Sequence, residues 1–297
     1  MKVGAVVVAY HRPDALAPLL GQLLDERAHV VVVNVEDDER VAKVAADAGV
    51  LAAPLPNRGY AAAVNHGASL VPDDAEVVVF MNDDLRLRRD ALRRLTEAIE
   101  RGADVALPRV VDEAGSADGT LLPLPTPGRI LLEWALLPDR RPRRVPSGAA
   151  RRVEKWRPVD VPGRVQAGTA ALVAVRREVL AGVPLDETYF MYWEELDWFW
   201  RLHQRGADVR LAPGAAVEHH GGRDDVRPEK AELLARNAVR CVRRTQGWLS
   251  AAAVWPIVIA WQLRLWLVDR SRPSGRDRLA ARRAGVRAAL SAWRELT

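Results

Sequence analysis

An α/β fold built on a mostly parallel sheet is what this sequence predicts. In the first hundred residues, short β-branched runs alternate with segments whose leucines recur at helical spacing. The runs are continuously apolar, as strands covered on both faces are. With 297 residues, 49% of them apolar, the chain can bury a large core.

The elements follow in order. Val3–Ala9 reads as a buried strand, and Pro13 suits the start of a helix over Asp14–Glu26, where Leu16, Leu19, Leu20, Leu23 and Leu24 share a face. His29–Val35 is the second strand, followed by a helix around Asp38–Ala48, a short strand near Val50–Ala53, a helix over Ala61–Leu70 and a strand at Glu76–Met81. Ligands gather at the carboxyl ends of strands in such sheets, so the loops after Ala9, Val33 and Met81 are the places to look. Residues 112–165 are rich in Pro, Gly and Arg, with Pro138–Arg144 the extreme, and read as a functional flap. Order resumes from Gln166 with the apolar run Ala170–Val175 and a helix from Trp193 to Gln204, stopped by Gly206.

Trp248–Val268 is apolar and carries four tryptophans, broken by Pro256, Gln262 and Arg264, before an arginine-rich amphipathic tail runs to Thr297. Two readings stand: a helix lying in a lipid interface, or a helical hairpin packed on the rest of the protein. The expected division is a catalytic domain over 1–225, made of a nucleotide-binding half (1–111), the flap (112–165) and an acceptor half (166–225), with a helical segment over 226–297.

The single cysteine, Cys241, excludes a disulfide framework and a cysteine-rich zinc site, and suits a reducing compartment. Met1-Lys2 leads straight into the first strand without the features of a secretory signal, so a cytoplasmic location is expected. A net charge of +5 and a pI near 9.8 suit nucleic acid, an anionic membrane surface or a phosphorylated substrate, although a GC-rich genome gives the same arginine usage.

Four segments carry chemistry. Val77–Asp84 delivers two adjacent carboxylates to the end of a buried strand, where a hard divalent cation could be held; Asn82-Asp83 also suits an ordinary polar turn. In Glu187–Arg201, Glu195 has Trp198 and Phe199 on the next turn, so desolvation would raise its pKa toward that of a general base. The same acids could merely complement the helix dipole, with Asp197 and Arg201 as an i,i+4 pair. His219, in Val217–Gly222, could complete a metal shell or serve as a structural hydrogen-bonder. Asn57–Gly67 leads into a helix of small residues that could pack close to a sheet or a nucleotide, with Asn57 or Arg58 toward phosphate.

In order and spacing these segments resemble the family 2 glycosyltransferases, inverting enzymes of the GT-A fold, and most closely the rhamnosyltransferase-like and galactofuranosyltransferase-like bacterial members. The resemblance runs from about Val3 to Gly222. It implies a Rossmann-like sheet and a nucleotide received by Ala9, Tyr10 and Arg12, with a second contacting segment at Asn57, Gly59 and Asn65. It also implies that Asn82 and Asp83 belong to the nucleotide-binding set, Asp83 near the ribose or the metal, that Asp84 and His219 hold Mg²⁺ or Mn²⁺, and that Glu195 is the base. Three departures stand out: Asn34 where an aspartate usually meets the nucleotide, Asn82 for the first carboxylate of Asp-x-Asp, and Glu195 for the commoner aspartate.

The implied reaction moves a sugar from a nucleoside diphosphate, dTDP-rhamnose or a UDP-hexose, to a glycan or lipid-linked acceptor in cell-envelope polysaccharide synthesis. The enzyme would sit in the cytoplasm or peripherally on the inner face of the membrane. A pyrophosphorylase or dinucleotide oxidoreductase needs a glycine-rich loop where this chain has Tyr10-His11-Arg12-Pro13. A basic module binding nucleic acid would leave the acidic motifs unexplained, so no nucleic-acid partner is expected, and Asn34 and Asn82 leave an inactive relative as the alternative.

Overall fold

The computed structural model describes residues 1–111, 117, 119–137, 153–220, 227–270 and 276–295. Pro138–Arg144, Gly221 and Gly222 lie outside these, as do the other parts of the expected flap at 112–116, 118 and 145–152.

β-branched runs form the sheet and leucine-periodic segments its cover. The amino-terminal half comprises β1 (Val3–Ala9), α1 (Pro13–Asp25), β2 (His29–Val35), α2 (Glu39–Asp47), β3 (Leu51–Leu55), α3 (Tyr60–Leu70), β4 (Val77–Asn82), β5 (Leu85–Leu87), α4 (Ala91–Glu100) and β6 (Val105–Val111). Then come β7 (Leu121–Leu122), a helical stretch from Pro127 that becomes a π-helix over Ile130–Leu136, β8 (Gly163–Arg164), β9 (Ala167–Gly168), β10 (Leu172–Arg176), α5 (Arg177–Gly182), α6 (Glu194–Gln204) and β11 (Val209–His219). Three helices close the chain: α7 (Pro228–Gln246), α8 (Trp248–Arg270) and α9 (Arg276–Ser291). The third strand sits one residue later than expected and tolerates Pro54 because β3 is the sheet's edge. The described residues of the expected flap include the π-helix, β8 and β7, which pairs with β9 just beyond it.

Nine strands make the main sheet, in the order β3-β2-β1-β4-β10-β6-β11-β5 with β8 against β11. β3, β2, β1 and β4 run parallel, β6 and β11 parallel to each other, and β10 enters antiparallel between β4 and β6. Alternate residues feed two cores: Ala5, Val7, Val77, Val79 and Met81 meet α1 and α4, while Val6, Val78 and Phe80 meet the other face. Alanines let α3 lie flush on that second face; a Cβ on Gly67 would stand 2.2 Å from Val6 Cγ1.

The second core also takes in α6 and α7, through Trp198, Phe199, Ala235, Val239 and Cys241. The segment after 225 therefore begins with a helix built into the same core as the sheet. Beyond it, α8 turns Ala251, Val254, Val258 and Gln262 inward, Trp255 Nε1 donates to Ala289 O at 2.7 Å, and buried Asp269 pairs with Arg282 at 2.8 Å. The hairpin reading thus describes the inner face of α8.

Candidate active site

The parallel strands deliver their carboxyl ends to one edge, and the polar motifs collect there. Val8 stands opposite Asn82 in the β1–β4 register, so the loops after the two strands run side by side. Tyr10 N donates to Asp83 Oδ2 at 2.9 Å, and Arg12 pairs with Asp84 Oδ2. Ala9, fully buried, can offer a ligand only its backbone. After Asp84 the chain crosses to β5, which pairs with the end of β11, Leu85 opposite His219. That crossing brings His219 Nε2 to 3.2 Å from Asp84 Oδ1, and His220 N donates to Asp84 O at 3.1 Å.

These carboxylates differ electrostatically although adjacent. Burial pushes Asp83 up to about 6, with the charge of Asp84 adding to it and the Tyr10 N–H opposing it. Burial also pushes Asp84 up, but His219 and Arg12 outweigh it and the net direction is down. Asp84 Oδ1 is buried without an aligned hydrogen-bond donor, and the Asn82 amide lies 3.5 Å from His219 Nε2. With Nε2 unprotonated, His219 presents one lone pair 3.2 Å from Asp84 Oδ1, a spacing that two ligands of one divalent cation can take. Among the described residues no third His, Cys, Asp or Glu joins them, so other ligands would be water and phosphate oxygens, as is usual for Mg²⁺.

The second acid pair opens α6. Glu194 is buried and Glu195 half-buried, and one carboxylate oxygen of each lacks a hydrogen-bond partner. Burial raises both, and for Glu194 the charge of Glu195 adds to it. Both carboxyls are thus harder to ionise than a free glutamate, and the more exposed Glu195 is the one better able to carry the charge. Trp198 turns away into the core, its Nε1 donating to Val183 O at 2.6 Å, and Asp197 forms the expected pair with Arg201 at 2.7 Å.

Tyr60 joins the two acid pairs. Its N–H donates to Phe190 O at 3.0 Å, in the loop before α6, and its hydroxyl donates to Ala170 O at 2.8 Å, beside the end of β4. Burial raises this phenol well above its ordinary value, and the charges of Glu194, Glu195, Asp84 and Asp83 all add to the rise, so both pairs act on this one side chain. Gly59, with φ +95°, makes the approach to this loop: a Cβ there would lie 2.1 Å from Phe190 O. Tyr192 and Trp193, just before the acids, both hold left-handed φ (67° and 75°), and Asn237 of α7 donates to the carbonyls of Met191 (2.9 Å) and Tyr192 (3.0 Å).

Other expected nucleotide contacts fall into two groups. Asn34 is buried and spends its amide on the backbone of Asp38, and Asn65 spends its own on Leu185 and Glu187. Tyr10 and Asn57 stay at the lip, where Asn57 donates to Glu36 at 3.1 Å and His11 bridges Glu36 (2.9 Å) and Asp38 (2.8 Å). Tyr60, Glu194, Glu36 and Asn237 were not singled out from the sequence. Glu36 had a signal in the acidic run directly after the second strand; Asn237, on a distant helix, had none. A cleft of about 550 Å³ lined by Arg94, Arg101, Arg164 and Arg210 contains none of these residues.

The profile of Glycosyl transferase family 2 matches residues 5–156, just over half of the chain. The chain belongs to glycosyltransferase family 2. This family 2 member is 29% identical over 230 residues to an N-acetylglucosaminyl-diphospho-decaprenol L-rhamnosyltransferase of Mycobacterium tuberculosis, covering 72% of this chain and 74% of that one. It is similar to the crystal structure of GalNAc-T7 with UDP, GalNAc and Mn²⁺ (TM-score 0.59, 16% identity), covering 82% of this chain but 48% of the other, about half its length. It is also similar to glucosyl-3-phosphoglycerate synthase from Mycobacterium tuberculosis with Mn²⁺, UDP and glucosyl-3-phosphoglycerate (TM-score 0.54, 14% identity, 82% and 80% covered). These likenesses show the GT-A fold, and family membership makes the chain a glycosyltransferase.

Proposed function

We propose that this glycosyltransferase is inverting and metal-dependent, and moves L-rhamnose from dTDP-rhamnose, or a hexose from a UDP-hexose, to a glycan or lipid-linked acceptor in cell-envelope polysaccharide assembly at the cytoplasmic side of the membrane. The observation that carries the reading is that Tyr60 ties the loop before Glu194-Glu195, through Phe190 O, to the backbone beside Asn82-Asp83-Asp84, through Ala170 O, with His219 against Asp84. The mycobacterial relative, an N-acetylglucosaminyl-diphospho-decaprenol L-rhamnosyltransferase, supports rhamnose as the sugar and a lipid-linked acceptor.

Asp84 and His219 would hold the Mg²⁺ or Mn²⁺, which supplies neutralising charge for a departing diphosphate. Asn82 and Asp83 face the ribose, and Tyr10, Asn57 and Gly59 line the side of the base. Arg12 can swing from Asp84 to a phosphate oxygen. Asn34 and Asn65 act at one remove, by holding the loops that carry Glu36 and Glu187. Glu195 takes the proton from the acceptor hydroxyl as its oxygen attacks the anomeric carbon opposite the diphosphate; that C–O bond breaks and the configuration inverts. Glu194 beside it is the more buried of the two, and burial together with the charge of Glu195 disfavours its ionised form.

The test is a donor panel with manganese, following release of nucleoside diphosphate and the anomeric configuration of the product by NMR. Consumption of dTDP-rhamnose or a UDP-hexose with inversion is the expected result. Nucleotide binding without turnover of any donor would overturn it in favour of an inactive relative.

A further inference from the structure

The helix α8 is 23 residues long, its most apolar stretch has a mean hydropathy of 1.5, and only 22% of that stretch is buried. Its inner face packs on the protein. On the outer face, Leu249, Ala253, Pro256, Ala260, Leu263 and Leu267 recur at three- and four-residue spacing and are all exposed, Leu249 at 77% and Leu267 at 59%. The π-helix lies along one flank, Arg264 donating to Ala135 O and Trp261 standing 6.4 Å from Trp134, and adds exposed Leu131, Leu132 and Leu136. An apolar surface of this extent on a soluble face marks a binding site.

The charge around it identifies the occupant. Residues 248–297 contain nine arginines and three acids, a net +6 that exceeds the +5 of the whole chain. Arg264 and Arg270 are exposed on α8, Arg270 standing 5.4 Å from the Trp266 ring. Arg283 and Arg287 are exposed on α9, and neither forms an ion pair with a carboxylate among the described residues. Trp248, at the start of α8, and Trp293, 4.9 Å from Trp255, are both exposed. Exposed leucines accompanied by arginines and tryptophans match the boundary between acyl chains and anionic headgroups.

We infer that this face seats the protein on the surface of an anionic bilayer, with the leucines of α8 and the π-helix at the acyl boundary and the four arginines against headgroup phosphates. The helix lies on the membrane and does not cross it: its opposite face carries buried Gln262 and the Asp269–Arg282 pair, polar groups that crossing would turn toward lipid. Trp134 also stands 5.2 Å from Trp193, the residue before the acid pair, so one aromatic layer separates this surface from the site. Only that consequence, access to a lipid-linked acceptor, rests on the proposed reaction.

The full chain is sedimented with vesicles of phosphatidylcholine containing phosphatidylglycerol and with phosphatidylcholine alone, with no donor present, so binding is read independently of chemistry. Binding to the anionic vesicles is expected, weaker in high salt. The charge reversals Arg283→Glu with Arg287→Glu should lower it by at least about tenfold, since each basic residue near such a surface contributes a factor of about five. Leu249→Glu with Leu263→Glu and Leu267→Glu, exposed positions whose change should leave the melting temperature in place, should abolish it. Equal binding by wild type and both variants, or none by wild type, overturns the inference. So does retention on the vesicles through alkaline carbonate washing, which indicates insertion. So does a wild-type dimer in sedimentation velocity that the leucine variant dissociates, which assigns the face to a second copy.

Discussion

Asp83→Asn should make the metal-free protein more stable at pH 8 and less so, relative to wild type, at pH 4. The buried Asp83 carboxyl has its pKa pushed up from 3.8 to about 6. A shift of that size means ionised Asp83 costs the folded state about 3 kcal/mol at pH 8. The sign follows from the direction: a folded-state pKa above the unfolded value favours folding where the group is protonated, below 3.8, and that advantage is lost as pH rises through about 6. Asparagine keeps an oxygen for the Tyr10 N–H and removes the charge, but its NH₂ goes short of a partner, a cost of about 1–2 kcal/mol. The net gain at pH 8 is then about 1–2 kcal/mol, or roughly 2–6 °C in Tm for a chain of this size. At pH 4 wild type has recovered most of its deficit and the order should reverse. Thermal melts of both proteins in EDTA at pH 8, 6 and 4 read the difference, in which other titrating groups cancel. A variant whose Tm offset from wild type is the same at all three values would refute the account of Asp83 as a strained acid held for function.

Glu195→Gln should lower kcat by about a thousandfold or more with donor Kd nearly unchanged, as expected for loss of a base, and near-normal turnover removes Glu195 from that role. Asp84→Ala should weaken manganese-dependent nucleotide binding by at least about tenfold in calorimetry while leaving the small metal-free affinity in place; undiminished affinity with manganese counts against the Asp84–His219 site. Gly59→Ala combines a left-handed backbone with a Cβ 2.1 Å from Phe190 O, so a loss of at least about 2 kcal/mol in urea unfolding is expected, and a variant within 0.5 kcal/mol of wild type by that measure contradicts the packing.

Periodicity made the alternating sheet and helices legible, because each strand's apolar run and each helix's leucine face is a local property. Asn82-Asp83-Asp84 and Glu195 were legible as acids at element ends for the same reason. What local pattern could not carry was the use of side chains across long separations. Asn34 and Asn65 look like ligand-facing amides in sequence, yet one closes the turn to Asp38 and the other ties α3 to residues 120 positions away. Residue type alone does not say whether an amide meets a ligand or a neighbouring backbone. The meeting of Asp84 with His219 likewise depends on β5 pairing with β11, a three-residue strand too short to leave a pattern.

The contacts of α7 connect these points into one physical requirement. A base must be partly desolvated to have a useful pKa, but burying two adjacent glutamates at a helix start is costly, and Tyr192 and Trp193 add left-handed strain at the same place. That arrangement persists only if something outside the loop holds it. Asn237 does so by donating to both Met191 O and Tyr192 O from a helix whose own position is fixed by Ala235, Val239 and Cys241 in the core, and Arg244 pairs with Asp186 at the start of the same loop. Gly59 and Tyr60 hold it from the other side through Phe190. The acid pair is therefore clamped between α3, which also lies on β1, and a helix that follows the sheet in sequence, so its placement is a property of the whole second core and not of the motif that carries it.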